Sequence, residues 1–175
     1  RCFRDEDLRA DRQPEFTQID MELSFVEPED VMQVNERLIQ RVFKEALDVD
    51  VKLPIQRMTY AEAMNRFGSD KPDLRFGVEL QDLTETVKGC GFAVFENAIA
   101  NGGTVRAINA KGMGDIGRKQ IDALVKYGQD FGAKGVAWHQ IKTDGEEKSS
   151  FAKFLNEETL AAIKEKMGAD KDDLI

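Results

Sequence analysis

Charged and amide side chains occupy alternate positions in two short segments near the start of the chain. They are Arg4 and Glu6 in the first segment and Gln18, Asp20 and Glu22 in the second. Alternate residues of a β-strand share a face, so antiparallel pairing of the two segments would collect these side chains on one surface. An arginine in the middle of a strand can hold a phosphate group bidentately. The pattern predicts an anion-binding surface, with a solvated sheet face carrying cross-strand ion pairs as the open alternative.

A β-hairpin must position this surface. Residues 1–6 alternate loosely, and residues 16–25 alternate more cleanly. Their period of two predicts one strand in each segment. The second strand would place four apolar side chains on its packed face, namely Ile19, Met21, Leu23 and Phe25. The polar stretch between the strands predicts a charged loop at the tip of the hairpin, with Asp7, Arg9, Asp11 and Arg12.

The composition excludes several classes of protein. The chain has 175 residues with 25 basic and 33 acidic side chains, and its net charge of -8 argues against nonspecific coating of nucleic acid, although one local RNA contact stays open. The single histidine, His139, and the two cysteines, Cys2 and Cys90, are too few for a disulfide framework or most zinc sites. No apolar stretch approaches the ~20 residues of a membrane span, and no signal peptide is recognisable. We expect a globular, cytoplasmic protein without membrane insertion.

Three segments resemble one enzyme family. Residues 3–20, FRDEDLRADRQPEFTQID, resemble motif 2 of class II aminoacyl-tRNA synthetases in the form typical of bacterial-type aspartyl-tRNA synthetases. Residues 58–64, MTYAEAM, and 68–77, GSDKPDLRFG, resemble the same family in the same order. The resemblance implies a ligase that activates aspartate with ATP, releases pyrophosphate and transfers the aspartyl group to tRNA(Asp). It also implies Mg²⁺ with the ATP and a homodimer for the full-length protein.

The resemblance implies roles for individual residues as well. Arg4 is the expected catalytic residue, because a preorganised guanidinium at the α-phosphate would stabilise the charge that develops there. The expected ATP contacts are Arg4, Asp5, Glu6 and Gln13. Gln18 and Asp20 match positions that line the aspartate pocket, where two acceptors can hold the substrate ammonium. The expected contacts with the tRNA acceptor end are Asp7, Arg9 and Arg12. No residue is expected to bind a resident metal.

Periodic patterns predict the elements that follow the hairpin. Pro28 can open a helix that runs to about Leu47. Its apolar stripe is predicted to face the core and consists of Val31, Val34, Leu38, Val42 and Ala46. Thr59 and Glu62 have the spacing of a capping box, and Gly68 can close the short helix that they open. The alternation in residues 73–80 predicts a further strand, in which a structural role for Arg75 is favoured over a catalytic one.

Beyond about residue 87 the sequence changes to short elements separated by glycines. Residues 103–108 (GTVRAI), 118–122 (RKQID) and 132–138 (GAKGVAW) resemble the GAD insertion domain of bacterial-type aspartyl-tRNA synthetases. We predict an α+β fold. Residues 1–87 would form part of the class II antiparallel-sheet catalytic domain, and residues 88–175 a GAD-type insertion domain truncated at its C-terminus. A helix over residues 118–131 is predicted to turn Ile121, Leu124, Val125 and Phe131 inward, and Asn156 is predicted to cap the last helix.

Several interpretations stay open. The basic side chains of the second domain fit either a solvated surface, which is favoured, or an RNA contact; they are Lys111, Arg118, Lys119 and Lys126. Residues 112–117 contain GxGxxG, a weak motif here because no βαβ unit surrounds it. A noncatalytic tRNA-binding module, such as an amidotransferase subunit with a GAD domain, is the alternative to a ligase. Because motifs 1 and 3 and the anticodon-binding domain are missing, we expect a piece of a longer protein that forms no adenylate alone.

Overall fold

The computed structural model describes residues 1–7, 9–10 and 12–175, so Asp11 of the predicted loop lies outside the described residues. The chain divides into two compact units, residues 1–57 and 58–175. Helices and antiparallel strands make up both units, and every strand pair in the described residues is antiparallel. The predicted α+β class is confirmed.

The first unit contains a short hairpin and one long helix. Strands β1 (Cys2–Phe3) and β2 (Glu15–Phe16) pair antiparallel, with Cys2 opposite Phe16. Helix α1 (Pro28–Leu47) begins where the sequence predicts, and the Asp30 carboxylate accepts the Glu27 N–H at 2.9 Å. A proline at the first helical position costs nothing, because its missing N–H would have had no intrahelical partner.

The second predicted strand is much shorter than expected. Regular pairing stops at Phe16, and residues 17–25 form no strand. Among the described residues β2 pairs only with β1, and this pairing ends where Phe16 lies opposite Cys2. The backbone groups beyond Phe16 therefore have no ladder to join. Phe25 is fully exposed with φ 59°, a left-handed conformation that ends any extended run.

The apolar stripe of α1 is not buried within the first unit, which corrects the prediction of a core face. Val31, Val34 and Leu38 are half-buried, whereas Val42 and Ala46 are exposed. The buried side chain of this helix is instead Glu36, which accepts the Ile55 N–H at 3.0 Å and pairs with Arg57. A polar clamp therefore holds residues 55–57 against α1.

The second unit has five α-helices, two 3-10 helices and six strands in the described residues. The α-helices are α2 (Tyr60–Phe67), α3 (Thr84–Val87), α4 (Ala93–Ala100), α5 (Arg118–Asp130) and α6 (Glu157–Met167). The strands are β3 (Gln81–Asp82), β4 (Arg106–Ala107), β5 (Ala110–Lys111), β6 (His139–Ile141), β7 (Glu147–Ser149) and β8 (Asp173–Leu174). Strands β3 and β4 pair separately, and the others form one sheet in the order β5-β8-β6-β7.

Two apolar clusters form the core of the second unit. The larger cluster joins Leu83, Val87, Val105, Phe151, Ile163 and Met167. The smaller cluster joins Ile121, Trp138 and Leu174. Helix α5 turns Ile121 inward as predicted and half-buries Val125, but Leu124 and Phe131 are exposed, contrary to the prediction. Only one stripe of this helix meets the sheet, because a single layer of packing covers about a third of a helix surface.

Local signals placed several helix ends correctly. The Thr59 hydroxyl accepts the Glu62 N–H at 3.2 Å, and Gly68 closes α2 with φ 68°. Asn156 caps α6 by accepting the Thr159 N–H at 2.7 Å. These side chains satisfy backbone groups that a helix leaves unpaired at its ends.

The predicted strand over residues 73–80 is wrong. A 3-10 helix spans Leu74–Phe76, and Gly77 follows with φ 64°. The Asp73 carboxylate accepts the Arg75 N–H at 3.0 Å, which favours a tight turn over an extended chain. Residues 58–87 belong to the second compact unit, and the predicted domain boundary at residues 87–88 stays a prediction.

Candidate functional site

The hairpin holds Arg4 at a defined place. The Arg4 N–H donates to the Pro14 carbonyl at 2.9 Å, one step beyond the β1–β2 ladder. Its guanidinium lies over the Phe16 ring, 5.2 Å from the ring centroid. An arginine stacked on an aromatic face keeps its planar fork of donors oriented. Arg4 is therefore presented from a fixed backbone while its side chain stays exposed.

The Glu6 carboxylate lies between two arginine side chains of the hairpin. Its carboxylate lies 3.8 Å from the Arg4 guanidinium and 3.1 Å from that of Arg12. The Arg12 N–H donates to the Arg9 carbonyl at 3.1 Å, which closes the turn at the tip of the hairpin. Arg4, Glu6 and Arg12 thus form one network of alternating charge, which contains two of the five residues of the predicted polar surface and adds Arg12 from the loop.

An open pocket lies beside this network. It has a volume of about 380 Å³ and is lined by Arg4, Glu6, Arg12, Gln13 and Phe16. Two guanidinium groups, one carboxylate and one amide around the half-buried ring of Phe16 can bind an anion and pack against an apolar ring at once. The structure therefore brings together three of the four residues predicted to contact ATP and one residue predicted to contact tRNA.

The structure leaves the remaining predicted site residues outside this pocket. Asp5, Asp7 and Arg9 are exposed, and none of them lines it. Gln18 lies beyond the end of β2, where it accepts a hydrogen bond from the Cys2 thiol at 3.1 Å. Asp20 is exposed and has no hydrogen bond or ion pair with another described residue. The roles assigned to these five residues, like those of the residues that line the pocket, stay predictions.

Two residues of this region escaped the sequence interpretation as parts of the site. Phe16 lines the pocket beneath Arg4, and Cys2 contacts Gln18. Alternate residues of a strand share a face, so Phe16 shares the polar face of Gln18 and Asp20. Extending the pattern back from Gln18 would have predicted this. Nothing in the sequence indicated the Cys2 contact, because it depends on side-chain rotamers.

A second set of charges lies in and beside the other family-like segments. Arg66 on α2 donates to both oxygens of Glu79 at 2.8 and 2.7 Å and to Glu62 at 2.7 Å. The hydrogen bonds that Arg66 donates to Glu79 and Glu62 raise the pKa of Arg66, and Arg66 in turn lowers the pKa of Glu79. The hydrogen bonds from Arg75 lower the pKa of Asp73 to about 2. Pairing with Asp73 supports a structural role for Arg75.

The glycine-rich segment 112–117 uses its backbone donors internally. The Asp172 carboxylate accepts the Gly114 N–H at 3.1 Å, and the Gln120 amide oxygen accepts the Gly117 N–H at 2.9 Å. Neighbouring cations are paired too, Lys111 with Asp173 and Arg118 with Asp122. These contacts fit a structural role for the segment.

The part of the chain that the structure describes contains neither a cluster of metal ligands nor a membrane-spanning helix. No three His, Cys, Asp or Glu side chains there are grouped so that they could hold a metal ion. None of the described helices combines the length and hydrophobicity that a membrane span needs.

Comparisons with known proteins find one family model and a set of similar ligases. The family model for class II tRNA synthetases (D, K and N) matches residues 1–171. The aspartate–tRNA(Asp/Asn) ligase of Lachnoclostridium phytofermentans is 62% identical over 175 residues, which is 100% of this chain and 29% of that protein. The aspartate–tRNA ligase of Clostridium kluyveri is 61% identical over 100% of this chain and 30% of its own length. The chain therefore spans about three-tenths of these relatives.

Proposed function

Because the chain belongs to the family of class II tRNA synthetases (D, K and N), we propose that it is the motif 2 and insertion segment of an aspartate–tRNA ligase. The observation that carries this proposal is identity of 61–62% to such ligases across all 175 residues. The charged pocket on the hairpin supports it. In the complete enzyme, ATP and aspartate would form aspartyl-adenylate and pyrophosphate, and the aspartyl group would then pass to tRNA.

The first step needs electrostatic stabilisation and no nucleophile from the protein. A carboxylate oxygen of aspartate attacks the α-phosphorus of ATP, the new P–O bond forms, and the bond to the leaving pyrophosphate breaks. Negative charge grows on the phosphate oxygens as this happens. The Arg4 guanidinium, held over Phe16 and 3.8 Å from Glu6, is the donor that we assign to those oxygens.

Other residues would bind and orient the substrates. Glu6 and Gln13 line the same pocket as Arg4, and we assign them to ATP together with Asp5. Gln18 and Asp20 supply acceptors for the aspartate ammonium. The tRNA acceptor end would meet the hairpin tip, where we assign contacts to Asp7, Arg9 and Arg12. Arg12 lines the ATP pocket and sits at the tip, so it would join the two substrates.

Further properties of the complete enzyme belong to the same proposal. Mg²⁺ would enter with ATP as part of the substrate, and none of the catalytic steps assigned to this chain requires the metal to be held by it. A cytoplasmic location and a homodimer are expected. Relatives carry both the aspartate–tRNA and the aspartate–tRNA(Asp/Asn) names, so both tRNA specificities are candidates. A noncatalytic tRNA-binding module is less well supported, because the synthetase model matches from residue 1 and so includes the hairpin.

A chimaeric enzyme tests the proposal. In this chimaera, residues 1–175 replace the aligned segment of the Clostridium kluyveri aspartate–tRNA ligase. We expect exchange of radioactive pyrophosphate into ATP that depends on aspartate, and none above background with lysine or asparagine, the other two amino acids of the family name. The isolated 175-residue chain is the control and should show no exchange.

Two outcomes would contradict the proposal. A folded chimaera without aspartate-dependent exchange would show that the chain cannot serve as this segment. Exchange that responds equally to lysine or asparagine would assign the chain to another branch of the family.

A further inference from the structure

The thiol of Cys2 makes a specific contact with a residue assigned to the aspartate pocket. Its Sγ donates to Oε1 of Gln18 over 3.1 Å. Cys2 lies directly opposite Phe16 in the hairpin, so Gln18, two residues further along, lies on the same face and one diagonal step away. Side chains at that diagonal separation can reach one another across a sheet. The hairpin register therefore permits the contact, and the side-chain rotamers of Cys2 and Gln18 complete it.

This hydrogen bond holds the Gln18 side chain against the hairpin. The β1–β2 ladder ends at Phe16, and residues 17–25 form no strand. Within the described part of the chain, the Cys2 thiol is the only hydrogen-bond partner of the Gln18 side chain. Without it, the amide would rotate freely about its side-chain bonds. A substrate would then have to order the amide on binding, which weakens affinity.

We infer that Cys2 is a positioning residue that fixes the Gln18 amide for aspartate binding. This inference rests on the proposed function, which assigns Gln18 to the aspartate pocket. An amide oxygen has two lone pairs. The thiol takes one of them, so the other stays available to the substrate ammonium at a fixed position. Cys2 is half-buried and in no disulfide, and it does not line the pocket beside Arg4.

The inference predicts a selective effect on aspartate. In the chimaera, Cys2→Ala removes the donor, and we expect the KM for aspartate in pyrophosphate exchange to rise about three- to fivefold, the lower part of the range for loss of one neutral hydrogen bond, because a thiol is a weak donor. The kcat and the KM for ATP should stay within about twofold, since Arg4 and its pocket are untouched. Cys2→Ser keeps a donor at this position and should restore most of the aspartate affinity.

The matched control is Cys90→Ala, since Cys90 is the other cysteine, is also half-buried and lies in the other compact unit. It should leave the KM for aspartate unchanged. Two results would overturn the inference: an unchanged KM for aspartate in Cys2→Ala, or a loss in which kcat and both KM values change together and serine gives no rescue. The second result would indicate a merely structural thiol. Absence of exchange in the unmutated chimaera would instead overturn the proposed function, and this inference with it.

Discussion

The two compact units of this chain differ in how they are held together. Residues 58–175 close around two apolar clusters, whereas the buried side chain among the described residues of 1–57 is a glutamate, Glu36. The residues assigned to chemistry all lie in the unit without an apolar core. Its hairpin and helix are fixed by backbone pairing and polar clamps, such as the contacts of Glu36 with Ile55 and Arg57.

This difference teaches that local order and independent stability are separate properties here. Hydrogen bonds and exposed ion pairs orient side chains well but contribute little net stability. Burial of apolar surface contributes about 25 cal/mol per Å², and the first unit leaves apolar side chains of α1 such as Ile39, Val42 and Leu47 exposed. We therefore expect the first unit to need contacts with other protein segments to become rigid. The second unit should be rigid without such contacts.

Isoleucine-to-alanine substitutions, one in each unit, test this comparison with the largest expected effect on stability. In the isolated chain, Ile163→Ala should lower the free energy of unfolding by about 2–5 kcal/mol, because Ile163 is 1% exposed in the larger cluster. The same change at Ile39, which is 43% exposed on α1, should cost less than about 1 kcal/mol. Denaturant unfolding followed by circular dichroism measures both. Equal costs at the two positions would break the comparison.

The pH dependence of stability sharpens the comparison with a smaller effect. His139 is 1% exposed in β6, and burial lowers its pKa; the Glu147 carboxylate, 3.1 Å from Nε2, opposes this shift, and Lys164 adds to it. At acidic pH the folded chain then binds fewer protons than the unfolded chain. The contribution of neutral His139 to the free energy of unfolding is therefore fully present above the unfolded pKa of about 6.5, and it falls as the pH drops below that value.

The single histidine makes this effect separable. Between about pH 7 and 5.5, the unfolding free energy of the second unit should fall with a slope of at most about 1.4 kcal/mol per pH unit. Replacing His139 by leucine should remove that slope. Denaturant titrations at several pH values measure it, and a slope that survives in His139→Leu would assign it to other groups.

Sequence alone predicted the features that depend on neighbouring residues. The start of α1 at Pro28, the cap at Thr59 and the closure at Gly68 all follow from local backbone chemistry. The strand period also placed Arg4 and Glu6 on one face. Gln13, which lines the same pocket, was expected there only from the family resemblance.

Sequence alone failed where a distant partner decides the outcome. Residues 73–80 were mispredicted for a local reason, the turn at Asp73 and Gly77, whereas residues 17–25 alternate like a strand but find no neighbouring strand in the described residues. The outward Leu124 and Phe131 belong to the same class of error, since periodicity shows that a face is apolar and not that something covers it. The roles of all the assigned site residues stay predictions, and for Asp20 the structure shows no neighbour from the site among the described residues either.

The exchange activity of Arg4 variants tests the central claim most directly. In the chimaera, Arg4→Ala should reduce kcat/KM for aspartate-dependent pyrophosphate exchange by about 100- to 1000-fold, the usual cost of losing one preorganised transition-state donor. The matched control, Arg1→Ala, removes an exposed guanidinium of the same hairpin that pairs with Glu15, and should change the rate by less than about threefold. Arg4 and Arg1 variants with equal activities would contradict the assignment of this hairpin to catalysis.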